Sequence, residues 1–171
     1  MAERRLVPIG RVLHAHGTQG EVVVDPYLND LTYYYDRLRE VAIGRKDGQV
    51  HGYRVQQVRA AGERLLVQLD AASDSEAARS LNGTDLYAPR DELPPPGAGE
   101  FYWFDLEGLA VYTQEGDFLG RVEDFFPTGS NEVLVVRAGA REILLPFIKD
   151  VILAVDDMQG SLRVRAIPGL L

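Results

Sequence analysis

The chain has 171 residues, of which 46% are hydrophobic and 26% charged, the proportions of an ordinary globular protein rather than of a disordered chain, a collagen-like fibre or a coiled coil. Its formal net charge is -8, from 18 Lys and Arg against 26 Asp and Glu. That makes unaided duplex nucleic-acid binding a poor expectation and an encounter with a basic protein a better one.

In chain order, strands are expected at Leu6–Leu13, Glu21–Pro26, Val41–Gly44, Gly52–Arg59 and Leu65–Asp70, short runs rich in branched residues. Turn signals such as Asp47-Gly48 and Ala61-Gly62 lie between them. A short helix is expected within Asp30–Arg39, and a clearer one over Asp74–Leu81. There Ser73 and Glu76 have the spacing of a capping box, Ala77, Ala78 and Leu81 form an apolar stripe, and Asn82-Gly83 ends the run.

Pro94-Pro95-Pro96-Gly97-Ala98-Gly99 then interrupts any helix or sheet interior. It predicts a first domain over 1–93, a linker over 94–99 and a second domain over 100–171. Residues 1–96 carry a net charge of -2 and residues 97–171 a net charge of -6, so most of the acidity lies in the second piece.

Beyond the linker, strands are expected at Gly108–Thr113, Phe118–Phe125, Glu132–Arg137, Glu142–Phe147, Val151–Val155 and Leu162–Ala166. Glu115-Gly116-Asp117, Thr128-Gly129-Ser130-Asn131 and Gln159-Gly160 are hairpin signals. So many short strands in so few residues fit a small closed barrel, which removes exposed edges. The expected fold is mainly β, with two small β-barrels. No βαβ alternation supports a doubly wound fold.

Catalytic patterns are scarce. With no cysteine, disulfides, thiol nucleophiles and thiolate metal sites are excluded. His14 and His16 sit on one face of a strand-like segment about 7 Å apart, but no third ligand lies nearby in the sequence. Gly17-Thr18-Gln19-Gly20-Glu21 lacks the lysine and following helix of a phosphate cradle and reads as a turn between strands. Apolar runs such as Ile143–Ile148 are far below the roughly 18 residues needed to cross a bilayer, and 1–10 has no signal-peptide core. A cytoplasmic location is expected.

Aromatics are the unusual feature. Phe101-Tyr102-Trp103-Phe104 follows the linker, with Phe125-Phe126-Pro127 and Pro146-Phe147-Ile148 further on. Read as a strand, Phe101 and Trp103 face one way and Tyr102 and Phe104 the other. A small barrel buries only one such face. The other packs elsewhere or forms a protein-contact patch.

At these residues the sequence resembles the RimM family of bacterial ribosome maturation factors. The motifs, in order, are Gly10 with His16-Gly17-Thr18-Gln19-Gly20-Glu21-Val22, Ala77 to Gly83, Leu86 to Leu93, and Glu100-Phe101-Tyr102-Trp103-Phe104-Asp105-Leu106-Glu107-Gly108. Gly116, Leu119-Gly120-Arg121-Val122, Thr128 to Leu134, Leu145 to Ile148 and Gly169-Leu170-Leu171 follow. The family's Tyr-Tyr-Trp motif falls on Phe101-Tyr102-Trp103, with phenylalanine in the first place.

The resemblance implies a six-stranded barrel like those of translation factors, followed by a PRC barrel. It also implies a non-enzymatic assembly chaperone for the head of the small ribosomal subunit that binds ribosomal protein S-nineteen and assists rRNA processing. The implied partners are S-nineteen and the free small subunit, with rRNA contact secondary. No cofactor, metal, membrane or small-molecule substrate is implied. The expected partner-binding residues are Phe101, Tyr102, Trp103, Phe125, Phe126, Pro146, Phe147 and Ile148, and the family-motif turn is His16, Gly17, Gly20 and Glu21. Two rivals remain at this point, an RNA-modifying or other small-molecule enzyme on a two-barrel scaffold and a membrane-associated electron-transfer subunit.

Overall fold

Alternation of branched apolar and polar residues sets the strands, and glycines with positive φ turn the chain between them. The computed structural model describes residues 4–44, 48–70 and 75–169. The chain divides into two compact units, Met1–Pro95 and Pro96–Leu171.

The first unit runs β1 (Leu6–His16), β2 (Glu21–Pro26), α1 (Thr32–Asp36), β3 (Glu40–Gly44), β4 (Val50–Ala61), β5 (Arg64–Leu69), α2 (Ser75–Arg79) and β6 (Asp85–Pro89). The strands close into a barrel in the order β1-β2-β5-β4-β3-β6. Val7, Ile9, Val12, Val22, Val24, Ile43, Leu65, Val67 and Leu86 fill its interior. At Gly10 the facing strand comes so close that a Cβ would lie 2.9 Å from the Asp25 carbonyl oxygen and from Val24 Cγ1.

Strand β6 was not among the expected ones. Its five residues include Asp85 and a terminal proline, and only Leu86 and Ala88 face inward. Strand β1 outlasts its expected end, because a bulge between Val12 and His14 lets it bend and stay paired through His16. Helix α1 is shorter than its expected range. It buries Tyr33 and Tyr34, and the Tyr34 hydroxyl donates to the Ile9 carbonyl while accepting from the Leu28 amide at 3.2 Å. Of the expected α2 cap, Ser73 lies outside the described residues, as does Asp47 of the expected turn; Ala78 and Leu81 are buried as the stripe requires.

The second unit contains α3 (Trp103–Leu106), β7 (Ala110–Thr113), β8 (Phe118–Pro127), β9 (Glu132–Ala138), β10 (Arg141–Pro146), β11 (Ile152–Asp156) and β12 (Ser161–Val164). They form one six-stranded sheet in the order β10-β9-β8-β7-β12-β11, in which β12 lies parallel to β7. The hydrogen-bonded ladder ends at β10 and β11. These two edges are joined through the turn at 147–151, where the Val151 and Ile152 amides both donate to the Ile148 carbonyl. The sheet curls around Leu106, Val111, Leu119, Val122, Leu134, Val136, Ile143, Leu145, Val151, Leu162 and Val164.

Candidate functional site

The aromatic segment after the linker is a single helical turn, which corrects the strand reading. Tyr102 is extended (φ -76°, ψ 132°), and from Trp103 the chain winds into α3, with the Asp105 amide donating to the Tyr102 carbonyl at 2.9 Å and the Glu107 amide to that of Trp103 at 3.2 Å. Burial of both Phe104 and Leu106 drives this. The turn sends the two side chains to different places: Leu106 joins the core of the second sheet, and Phe104 is buried beneath Tyr102 and Trp103.

Rings gather around Phe104. Tyr102 lies over Phe104 at 5.0 Å and 16°, and Trp103 meets Phe104 edge-on at 5.8 Å. Phe101 meets Phe147 edge-on at 5.8 Å. Phe101 is 41% and Trp103 37% exposed, while Tyr102 is half-buried.

The other expected contact residues divide. Phe125, Phe147 and Ile148 are partly buried and pack against the core, so they support the surface more than they form it. Phe126, 39% exposed, is on the outer face and shares the cross-strand partner Val133 with half-buried Pro146.

Carboxylates collect at the same end of the unit. Glu107 follows α3, Glu132 opens β9 opposite Pro127, and Asp124 caps the Phe125 amide at 2.7 Å. The turn holding Asp156 and Asp157 is brought there by the Ala110 amide, which donates to the Gly160 carbonyl at 2.9 Å. Arg121 reaches this end too, donating to the Gly108 carbonyl at 3.1 Å. Arg137 pairs with Glu142 and, at 3.2 Å, with Glu123. The hydrogen bond to Glu142, reinforced by both carboxylate charges, holds its guanidinium above the ordinary value.

In the first unit Gly17 and Gly20 take φ of 64° and 74° and so form the turn before β2. Glu21 receives two hydrogen bonds from Arg59 Nη2, at 2.8 and 2.9 Å, and its partner His16 is exposed. This turn fixes a hairpin. His14 and His16 are both exposed, and among the described residues no group of His, Asp or Glu is placed to hold a metal.

Sequence reasoning missed Arg59, and it missed a network in which Asp85 Oδ1 accepts from Arg11 Nε at 2.8 Å and from the Tyr27 hydroxyl at 2.9 Å. Arg11 and Asp85 are ladder partners and Arg59 reaches Glu21 across β5, pairings far apart in the chain and visible only once register is known. Partial burial, aided by the bond to Asp85, pushes the Tyr27 phenol up to about 12.

A closed six-stranded barrel followed by a second curled β-sheet with an aromatic cap defines a two-domain β protein. Residues 7–93 match the RimM N-terminal domain and residues 103–170 the RimM PRC barrel domain. The chain belongs to the RimM family. The ribosome maturation factor RimM of Geobacter metallireducens is 37% identical, covering 97% of this chain and 95% of its own. That of Syntrophus aciditrophicus is 38% identical over 95% and 97%. A crystal structure of RimM from Pseudomonas aeruginosa is 33% identical, covers 95% of this chain and 98% of its own, and superposes with a TM-score of 0.47.

Proposed function

We propose that the chain is a ribosome maturation factor: a non-enzymatic assembly chaperone of the cytoplasm that binds ribosomal protein S-nineteen and the head of the free small subunit and thereby assists rRNA processing. In this reading the domains run over 1–93 and 100–171 with 94–99 as their linker, and rRNA contact is secondary to protein contact. The observation that carries it is the end of the PRC barrel where exposed Phe101, Trp103 and Phe126 stand among Glu107, Asp124, Glu132, Asp156 and Asp157. Ribosomal proteins are basic. Acidic groups on a rim speed encounter with such a partner, and a few aromatic anchors in a desolvated centre hold it. Family membership and the names of its relatives support the ribosomal context.

Co-sedimentation with free small subunits, large subunits and mature ribosomes tests the reading. Binding confined to the free small subunit is expected, and equal binding to all three or to none overturns it. With isolated S-nineteen, Tyr102→Ala weakens binding by about 2 kcal/mol if its ring is an anchor. A folded variant of unchanged affinity removes Tyr102 from the site.

A further inference from the structure

We propose that the outer face of β7, β8 and β12 is a second binding site, for a single-stranded stretch of RNA. On these strands Val111, Leu162 and Val164 belong to the core, so Tyr112, Arg163 and Arg165 point the other way. The ladders align them: Tyr112 is the partner of Phe118 on one side and of Arg163 on the other. Rings and guanidinium therefore form one row across neighbouring strands, about 10 Å from end to end.

The two rings touch at 5.5 Å and 57°, and Phe118 is 53% exposed, the most exposed aromatic of the chain among the described residues. Arg163 and Arg165 are exposed, and on its far side Arg163 faces only Ala154, a small exposed residue. An apolar ring left in water beside exposed guanidinium groups suits a ligand that is at once flat, aromatic and anionic. Nucleotides have that chemistry, and a duplex would hide the base faces the rings need, so the ligand is single-stranded. An acidic peptide satisfies the arginines and leaves the rings unused.

Glu115 and Asp117 lie in the β7–β8 turn next to Phe118, with Glu115 accepting from Gln114 Nε2 at 2.7 Å. They repel phosphates on that side and direct the backbone of the RNA along β12. This face is distinct from the aromatic end that includes α3. The choice of RNA over DNA rests on the ribosomal reading above.

Fluorescence anisotropy of the full chain with a labelled oligouridylate tests it. Binding that weakens with salt is expected, with preference for the single strand over a duplex. Phe118→Ala and Arg163→Glu should each weaken it about fivefold or more while leaving the melting temperature and affinity for S-nineteen unchanged. Conversely, Tyr102→Ala should leave oligouridylate binding unchanged. No binding by the parent protein, binding indifferent to both variants, equal binding of a duplex or of an oligoglutamate, or binding of oligothymidylate alone overturns the proposal.

Discussion

At Gly120 a side chain would place its Cβ 2.5 Å from the Arg137 carbonyl oxygen and 2.7 Å from the carbonyl carbon, and φ is 143°. Both obstacles are backbone, which cannot swing aside. Gly120→Ala is therefore expected to cost about 3 kcal/mol or more, whereas Gly129→Ala, which meets nothing within 4 Å, should stay within about 0.5 kcal/mol; denaturant titration of both variants checks the contrast. In the first barrel, Tyr34→Phe leaves the Leu28 amide without its buried partner, while the Ile9 carbonyl keeps its bond from the Tyr27 amide, at a cost of about 1–3 kcal/mol. Tyr27 titrates late because partial burial, and then the bond to Asp85, favours the neutral phenol over its ordinary value of 10.0. A folded-state pKa above the unfolded one means that this stabilisation is complete below pH 10.0 and is lost as pH rises toward about 12. Following unfolding against pH shows it: Tyr27→Phe should flatten the alkaline loss across that window.

Among elements, α3 separates stability from binding within one turn. Phe104→Ala removes a buried ring and should destabilise the second unit by about 3–5 kcal/mol, while Trp103→Ala removes an exposed one and should lower affinity for S-nineteen with a nearly unchanged melting temperature. Most strands were legible because their branched residues alternate, and β2 matches its expected limits. Strand β6 was not, since half of it is polar or proline and its pairing with β1 and β3 comes from distant parts of the chain. The run from Phe101 to Phe104 looked like a strand for an equally physical reason: aromatics favour pleated surfaces, whereas the helical turn buries Leu106 in the core and Phe104 under its neighbouring rings. The aromatic composition of the candidate site was thus visible in the sequence. Its division into anchors and supports was not, because Phe125 and Phe126 are neighbours that lie one inside and one outside the sheet.

For the molecule as a whole, charge is unevenly shared, with a net of -2 over residues 1–96 and -6 over residues 97–171. Long-range attraction acts on association more than on dissociation. Raising ionic strength should slow binding of S-nineteen with little change in its release, and Glu132→Lys together with Asp157→Lys should reproduce that slowing at low salt, both measurable by stopped-flow mixing. The topology has a separate consequence for how the protein is made. Each unit pairs its first strand with its last: β1 with β6, which closes the first barrel, and β7 with β12, which joins the two halves of the second sheet. A nascent chain leaves the ribosome from its N-terminus, so β7 waits without its parallel neighbour while the hairpins between them assemble, and non-local closure of this kind is slow. Chains truncated before Ser161 should be cut readily by protease between β7 and β10, and resistance should arrive in one step once the chain extends past Val164.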